Sequence, residues 1–227
     1  MSNDISFKMK INFVDAKAFA KIKGGVYIDW QPPHKVVSKY NEWADLGLKS
    51  IIKRQDIVHA DEFRTANVRT CTGGGIIDLK NSGSSGFHYY DDKTNYNNIV
   101  DFLKKLFEVN KNPDSAFVIG GKNLLHNEYS LPIMNTILEI FKLKIPKVTY
   151  FCEHGFPYSE TDFHYSRKDD TLTICSMFRS PTELTEHHVS SPEDLKKCYK
   201  RIHIADGDEL YINEKKVEKE KLSGANN

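Results

Sequence analysis

The sequence predicts a mixed α/β fold, with largely antiparallel sheets forming an α+β sandwich that helices flank. Residues 98–109 and 131–143 repeat apolar side chains at helical spacing, which is typical of amphipathic helices. Short apolar segments at 116–121 and 147–152 are typical of buried strands. Residues 162–166 and 171–178 predict a hairpin joined through 167–170, so strands and helices alternate with hairpins between them.

Weaker local patterns predict the remaining elements. Alternation predicts strands, turn residues predict loops, and a serine before a proline predicts a helix start. The segments are a strand at 5–14, a strand at 26–30, a broken helical pattern at 38–54, strands at 76–79 and 87–90 joined by a glycine/serine loop at 81–86, a short helix at 192–200 capped by Ser191, and a polar, frayed end at 213–227.

Composition narrows the function classes. The chain has 227 residues, 32 basic and 31 acidic, so nucleic acid is a poor first partner. No apolar run approaches the roughly 20 residues that span a bilayer, and the first residues lack a secretory signal. The cysteines at 71, 152, 175 and 198 form no CxxC pair, which favours a reducing compartment. We expect a cytoplasmic protein, or an effector secreted without a cleaved signal peptide.

The segment around Cys71 has the residue types of a thiol nucleophile site. Glycines at 73–75 follow the cysteine, and His88 comes seventeen residues after it. An imidazole can take the thiol proton, and backbone amides beside glycines can approach a developing oxyanion closely. We also expect the charge of Arg69 to favour the thiolate. A structural interpretation stays open, with a core cysteine, a strand histidine and glycines of a bulge or tight bend.

The separation of Cys71 and His88 along the chain sets a geometric condition. If residues 72–90 form one tight hairpin, we expect His88 opposite Leu79, about eight residues or about 26 Å from the cysteine. Catalysis then requires the second strand to pair elsewhere, so that its start lies beside Cys71.

Thr65, Cys71 and His88 are spaced as in a known enzyme family. Their intervals of six and seventeen residues resemble those of the threonine, cysteine and histidine of CheD, the chemoreceptor glutamine deamidase. Cytotoxic-necrotizing-factor toxins and the Burkholderia lethal factor look like distant relatives with the same three residue types. Residues 117–123 also resemble the CheD strand that ends in Gly-Gly, and the similarity covers about residues 60–178.

The resemblance implies a CheD-like domain organisation. Residues 1–190 are then one deamidase domain, in which about residues 1–60 form an N-terminal extension. Residues 191–227 are expected to form a short helix and a polar, mobile tail. Because both ends lack a counterpart in CheD, an effector-like or toxin-like bacterial protein is the favoured interpretation.

The resemblance also implies a reaction. The thiolate of Cys71 attacks the side-chain amide of a glutamine in a partner protein, and His88 acts as the base. Thr65 orients the imidazole, as the third member of a triad does. The backbone amides expected to hold the oxyanion are those of Thr70, Thr72 and Gly73. No cofactor and no metal are expected.

Four further residues are candidates for the rim that contacts the substrate: Arg69, Tyr89, Glu153 and His154. A zinc interpretation uses Cys152 and His154 with more distant histidines and cysteines, but their spacing matches no usual structural site.

The function expected from these residues is protein-glutamine deamidation. Two alternatives stay open. One is a non-catalytic protein-binding module of the same fold. The other is transamidation or proteolysis at the same thiol.

Overall fold

The computed structural model describes residues 8–28, 57–78, 83–90, 96–122, 129–156, 158–182 and 185–222. In this part of the chain two β-sheets pack against each other, and four α-helices accompany them. Most strand pairs are antiparallel and a few are parallel. The predicted fold class, an α+β sandwich of mixed, largely antiparallel sheets, is confirmed.

The first sheet has eight strands among the described residues. With strands numbered in chain order, they are β1 (Lys10–Phe13), β2 (Val26–Ile28), β4 (Glu62–Val68), β9 (Tyr158–Ser166), β10 (Thr171–Arg179), β11 (His187–His188), β13 (Glu209–Ile212) and β14 (Lys215–Val217). Their order is β14-β13-β1-β10-β9-β4-β2, and β11 pairs with β10. Parallel pairs join β1 to β10 and β13, and β2 to β4.

The second sheet has six strands in the described part of the chain. They are β3 (Ile57–His59), β5 (Thr72–Asp78), β6 (Gly83–Tyr89), β7 (Ser115–Lys122), β8 (Lys147–His154) and β12 (Tyr199–His203). Their order is β12-β8-β7-β5-β6-β3. Strand β5 is central and antiparallel to both neighbours, while β7 and β8 are parallel. The N-terminal end of β5 therefore meets the C-terminal ends of β6, β7 and β8.

Four α-helices lie in the described part of the chain, and the sequence predicts all of them but the first. They are α1 (Ala16–Ala20), α2 (Tyr96–Val109), α3 (Ser130–Lys144) and α4 (Pro192–Cys198). The predicted helices at 98–109 and 131–143 are confirmed as α2 and α3. The predicted cap of α4 is also confirmed, because the Ser191 hydroxyl accepts a hydrogen bond from the Asp194 N–H at 3.1 Å.

Two cores hold the layers together. The inner faces of the sheets meet in an aromatic core, in which the rings of Phe117 and Phe163 lie edge to face with centroids 5.3 Å apart. The outer face of the second sheet packs on α2 and α3, where Phe87 meets Phe141 at 5.7 Å. The second sheet is therefore covered on both faces, which explains why β5 is buried along its whole length.

The described segments nearest to the two ends of the chain form strands of the sandwich, although the sequence predicts an extension and a frayed end there. Strand β1 lies between β10 and β13 inside the first sheet, so residues 10–13 are not an appended extension. The predicted frayed end at 213–227 is wrong for 215–222, which form β14 and a short 3-10 helix at Lys219–Leu222. Polar composition suggests a tail, but Val217 has an apolar core to join.

The glycine/serine loop predicted at 81–86 is also wrong from Gly83 onward, because β6 begins there. The predicted helical pattern at 38–54, and the parts of other predicted elements at 5–7, 29–30, 79–82 and 223–227, lie outside the described residues.

Candidate active site

One tight hairpin of β5 and β6 places the backbones of Cys71 and His88 near each other. Gly73 pairs with His88, and the last pair before the turn is Asp78 with Gly83. The expectation that a tight hairpin places His88 opposite Leu79, about 26 Å from Cys71, is therefore wrong. In this register Cys71 is only two residues before the partner of His88. Such diagonal neighbours have Cα atoms about 7–8 Å apart.

Cys71 lies in a bend immediately before β5. Its carbonyl accepts a hydrogen bond from the Gly121 N–H at 3.5 Å, which ties the bend to the end of β7. Positions 73 and 75 of β5 face the inter-sheet core. A Cβ built on Gly73 would meet Phe163, and one built on Gly75 would meet Phe117. Cys71 is 2% exposed.

His88 faces the same inter-sheet layer. A Cβ built at Gly86, two residues earlier on β6, would meet Phe63 of the first sheet, so even-numbered positions of β6 point toward that sheet. His88 reaches across the layer and contacts Thr65 of β4, with 2.7 Å between Nδ1 and Oγ1. The predicted pairing of Thr65 with His88 is thus present as a direct contact.

The hydrogen-bond directions define the tautomer of His88. The Thr65 hydroxyl donates its only proton to the Ile28 carbonyl, at 2.8 Å. Thr65 Oγ1 must then accept from the imidazole, so Nδ1 carries the proton. The remaining nitrogen, Nε2, is therefore the basic one. This arrangement has the direction that a general base requires, because the orienting group holds Nδ1–H and leaves the Nε2 lone pair for a thiol proton.

Burial determines the charge of His88. The side chain is 1% exposed, and loss of hydration lowers the pKa of His88 to about 3. Its orienting partner is a neutral hydroxyl, which gives an imidazolium no counter-charge. His88 is therefore the neutral, proton-accepting form at neutral pH.

A bulge in β4 separates Thr65 from the segment that leads to Cys71. The pairing of β4 with β9 shifts by one residue between Thr65 and Val68. Asn67 takes up the shift with φ 56°, a left-handed conformation that asparagine tolerates. The Asp162 carboxylate accepts the Asn67 N–H at 2.8 Å and fixes the bulge. Beyond the bulge the chain leaves the first sheet after Val68 and enters β5 of the second sheet at Thr72.

Arg69 does not stand free beside the thiol. Its guanidinium binds the Glu160 carboxylate on β9, with Nε and Oε2 2.7 Å apart. The expected effect of Arg69 on the thiol is reduced because the charge is already paired. The Arg69 side chain is nevertheless exposed, and it lies at the same end of the sandwich as Cys71. Its position is therefore compatible with the predicted role at the rim.

The three amides predicted for the oxyanion differ in their surroundings. Thr70 lies in the bend before β5. Thr72 and Gly73 lie within β5, between β6 and β7, where the sheet ladders use backbone groups. The bend at 69–71 is therefore the better source of N–H groups near the sulfur.

The other predicted rim residues lie farther away. Tyr89 faces the helices, is buried, and packs on Phe102 with ring centroids 4.6 Å apart, so it does not line a rim beside His88. Glu153 and His154 end β8, two strands from β5, or about 10 Å across the sheet. His154 is buried against the Tyr199 ring, and Glu153 contacts Lys200 and Arg201.

Several residues of this site carry no signal in the sequence. The carbonyl of Ile28 acts through its backbone, so its residue type gives no indication. Asp162 and Glu160 contact residues 95 and 91 positions away, and no local motif marks those pairs. Only the spacing of Thr65, Cys71 and His88 pointed to the site.

Among the described residues, no group of three or more histidine, cysteine, aspartate or glutamate side chains could hold a metal ion. No helix in the described ranges is long and apolar enough to cross a membrane. Comparison with family models and with curated proteins finds no match to this chain.

Proposed function

We propose that the protein is a cysteine-dependent protein-glutamine deamidase. Cys71 is the nucleophile, His88 the general base and acid, and Thr65 the residue that orients His88. The substrate is a glutamine side chain on another protein, and no cofactor takes part. The similarity of the three spaced residues to CheD suggested this reaction, and the geometry around His88 supports it.

One observation carries the proposal. The hydrogen bonds from His88 Nδ1 to Thr65 and from Thr65 to the Ile28 carbonyl fix the imidazole with Nε2 basic. A tautomer with Nε2 basic is the one that proton abstraction from a neighbouring thiol requires.

The reaction balances with these groups alone. His88 Nε2 takes the Cys71 thiol proton, and the sulfur attacks the amide carbon of the glutamine. The amide C–N bond breaks, and ammonia leaves with the proton from Nε2. Water then attacks the thioester, with His88 again as base, and the products are glutamate and free Cys71.

The low pKa of His88 constrains the proton transfer. An imidazole whose pKa lies near 3 does not hold a standing ion pair with a thiolate at neutral pH. Proton transfer therefore accompanies attack on the substrate, when the developing oxyanion and the incoming polar amide change the surroundings. N–H groups of the bend at 69–71 stabilise that oxyanion.

The direct test is ammonia release from casein, an unfolded protein rich in glutamine. Wild type is expected to release ammonia and to raise the mass of casein peptides by about 1 Da per site. Cys71→Ser is expected to abolish both signals, and Cys175→Ser is the matched control because Cys175 is also buried but lies on the outer face of the first sheet. Equal activity of wild type and Cys71→Ser rejects the mechanism.

A second candidate is a non-catalytic protein-binding module of this fold. The observation that favours it is burial, since Cys71 and His88 are 2% and 1% exposed. The two candidates differ in thiol reactivity, because a catalytic cysteine must become accessible to a small electrophile. Transamidation is separated from deamidation by incorporation of a fluorescent primary amine into casein.

A further inference from the structure

One end of the sandwich carries two arginines and a tyrosine near Cys71. Strand β4 ends there, β9 begins there with Tyr158, and β10 ends there with Arg179, because β9 is antiparallel to both neighbours. Arg69 follows β4 at the same end, two residues before Cys71. We call Arg69, Tyr158 and Arg179 the basic–aromatic rim.

Arg179 and Tyr158 form one preorganised unit. They are paired across β9 and β10, and the guanidinium carbon lies 4.4 Å from the centroid of the tyrosine ring. Tyr158 is 52% exposed. Stacking on the ring restrains the half-buried arginine, so less side-chain entropy is lost when its guanidinium binds a ligand.

The exposed charge of the rim is positive. In the Arg69–Glu160 pair the arginine side chain is 55% exposed and the glutamate 8%, so the cation forms the outer half. No described carboxylate forms an ion pair with Arg179. Glu186 precedes β11 and thus lies beside Arg179 in the β10–β11 pairing, but the two side chains do not form a salt bridge.

The rim is close enough to Cys71 to contact the same substrate. Tyr158 lies two residues from Glu160 along β9, about 7 Å, and Glu160 is bound to Arg69. Arg179 lies on β10, two strands or about 10 Å across the sheet from β4, which leads to Cys71, so a few residues of extended peptide can reach from one to the other.

We propose that the basic–aromatic rim docks an acidic segment of the substrate protein, with carboxylates a few residues from the glutamine that reacts. This inference rests on the proposed deamidase function and deepens it by naming the substrate class. Arginine and tyrosine are the residue types that dominate binding energy at protein interfaces. Guanidinium groups bind carboxylates in a bidentate manner, which gives direction as well as charge.

The test measures peptide binding separately from turnover. A fluorescent peptide with a central glutamine and glutamates on both sides is titrated by anisotropy with the Cys71→Ser protein, beside the same peptide with lysines for glutamates. We expect the acidic peptide to bind about tenfold more tightly at low salt. Arg179→Gln and Tyr158→Ala are each expected to weaken it about fivefold, whereas Glu186→Gln strengthens it.

Arg167→Gln is the matched control. Arg167 lies in the turn between β9 and β10, at the opposite end of the sandwich, and forms an ion pair with Asp61 at 2.9 Å. Its loss changes the net charge by the same amount and is expected to leave peptide binding unchanged. An equal loss in Arg167→Gln and Arg179→Gln, or equal affinity for the acidic and lysine peptides, overturns the proposal. Tighter binding of an oligouridylate, competitive with the acidic peptide, overturns it in favour of a nucleic-acid partner.

Ammonia release is measured with the protein that keeps Cys71 and His88. This second assay shows whether the docking proposal or the deamidase proposal has failed. If the acidic peptide binds through Arg179 and no peptide releases ammonia, the rim is a docking site and the deamidase proposal fails. If acidic and lysine peptides release ammonia with the same kcat/KM, the deamidase proposal stands and the docking proposal fails.

Discussion

The ring of Phe63 occupies the space where a side chain at Gly86 would lie. A Cβ atom built on Gly86 would be 2.3 Å from Phe63 Cδ2, and Gly86 pairs directly with Gly75, whose Cβ would be 2.9 Å from the same ring. The paired glycines let the two sheets approach closely. Two residues further along the same strands, that approach brings Thr65 of β4 into hydrogen-bond contact with His88 of β6.

Gly86→Ala is expected to destabilise the fold and to disturb the Thr65–His88 contact. The added methyl group has only aromatic and aliphatic neighbours, Phe63 and Ile28, that must move. Overpacking of this kind costs about 1–3 kcal/mol. Urea denaturation measures the change in the free energy of unfolding.

Gly83→Ala is the control for that experiment. It places the same methyl group on the same strand, but the nearest atom, Asn110 Oδ1, is 3.8 Å away. We expect a change of less than about 0.5 kcal/mol. If the two variants had the same free energy of unfolding, the close packing of the sheets would not require glycine at position 86.

The sequence predicts local features well and long-range register poorly. The helices at 96–109 and 130–144 follow from apolar periodicity alone, because each buries one stripe on the second sheet. The register that sets Cys71 two residues from the partner of His88 depends on how the β5–β6 hairpin closes, and a segment rich in glycine and serine does not fix that register by itself.

The C-terminal strands illustrate a different limit. Residues 209–217 carry many charges, and only Leu210, Ile212 and Val217 enter the core. Short strands with a polar face are hard to tell from a polar tail in the sequence. In the structure β13 pairs in parallel with β1, which begins some 200 positions earlier. Pairing across such a distance leaves no local pattern.

Thr65→Val is expected to lower kcat for ammonia release by about 100-fold or more, with a smaller change in KM. Valine keeps the shape of threonine but removes both the acceptor for His88 Nδ1–H and the donor to the Ile28 carbonyl. Thr65→Ser keeps the hydroxyl and is expected to retain most of the activity. Nitrogen-15 NMR of the imidazole reports the tautomer directly, with protonated Nδ1 in wild type and in Thr65→Ser. A wild-type spectrum with protonated Nε2 would contradict the assigned role.

The free energy of unfolding is expected to rise with pH between about pH 3 and pH 6.5 because of His88. Folding lowers the pKa of His88 from 6.5 to about 3, so the unfolded chain binds more protons across this window. Stability is therefore lost as pH falls below 6.5, by about 2 kcal/mol at pH 5 from this group alone.

His88→Gln isolates that contribution. His59, His164 and His203 also have pKa values lowered by burial, and they remain in both proteins, so the difference between the two pH profiles reports His88. Urea midpoints from pH 4.5 to pH 7.5 provide the profiles. Parallel profiles for wild type and His88→Gln would mean that His88 is hydrated in the folded protein.

Alkylation of the native protein by iodoacetamide is expected to modify Cys71 before any other cysteine. None of the four cysteines is part of a disulfide and all four are buried, but their surroundings differ. Burial raises the pKa of Cys152 to about 12 and raises that of Cys198 further, and both side chains lie in apolar cores, so neither forms a thiolate near neutral pH. Cys71 lies outside these clusters, in the bend immediately before β5 and two residues from the partner of His88. Mass spectrometry of peptides locates the label, and Cys71→Ser is expected to stay unlabelled until guanidinium unfolds it. Labelling of all four cysteines at one slow rate that matches global unfolding would favour the binding module over the enzyme, because the substrate could not then reach the sulfur in the folded state.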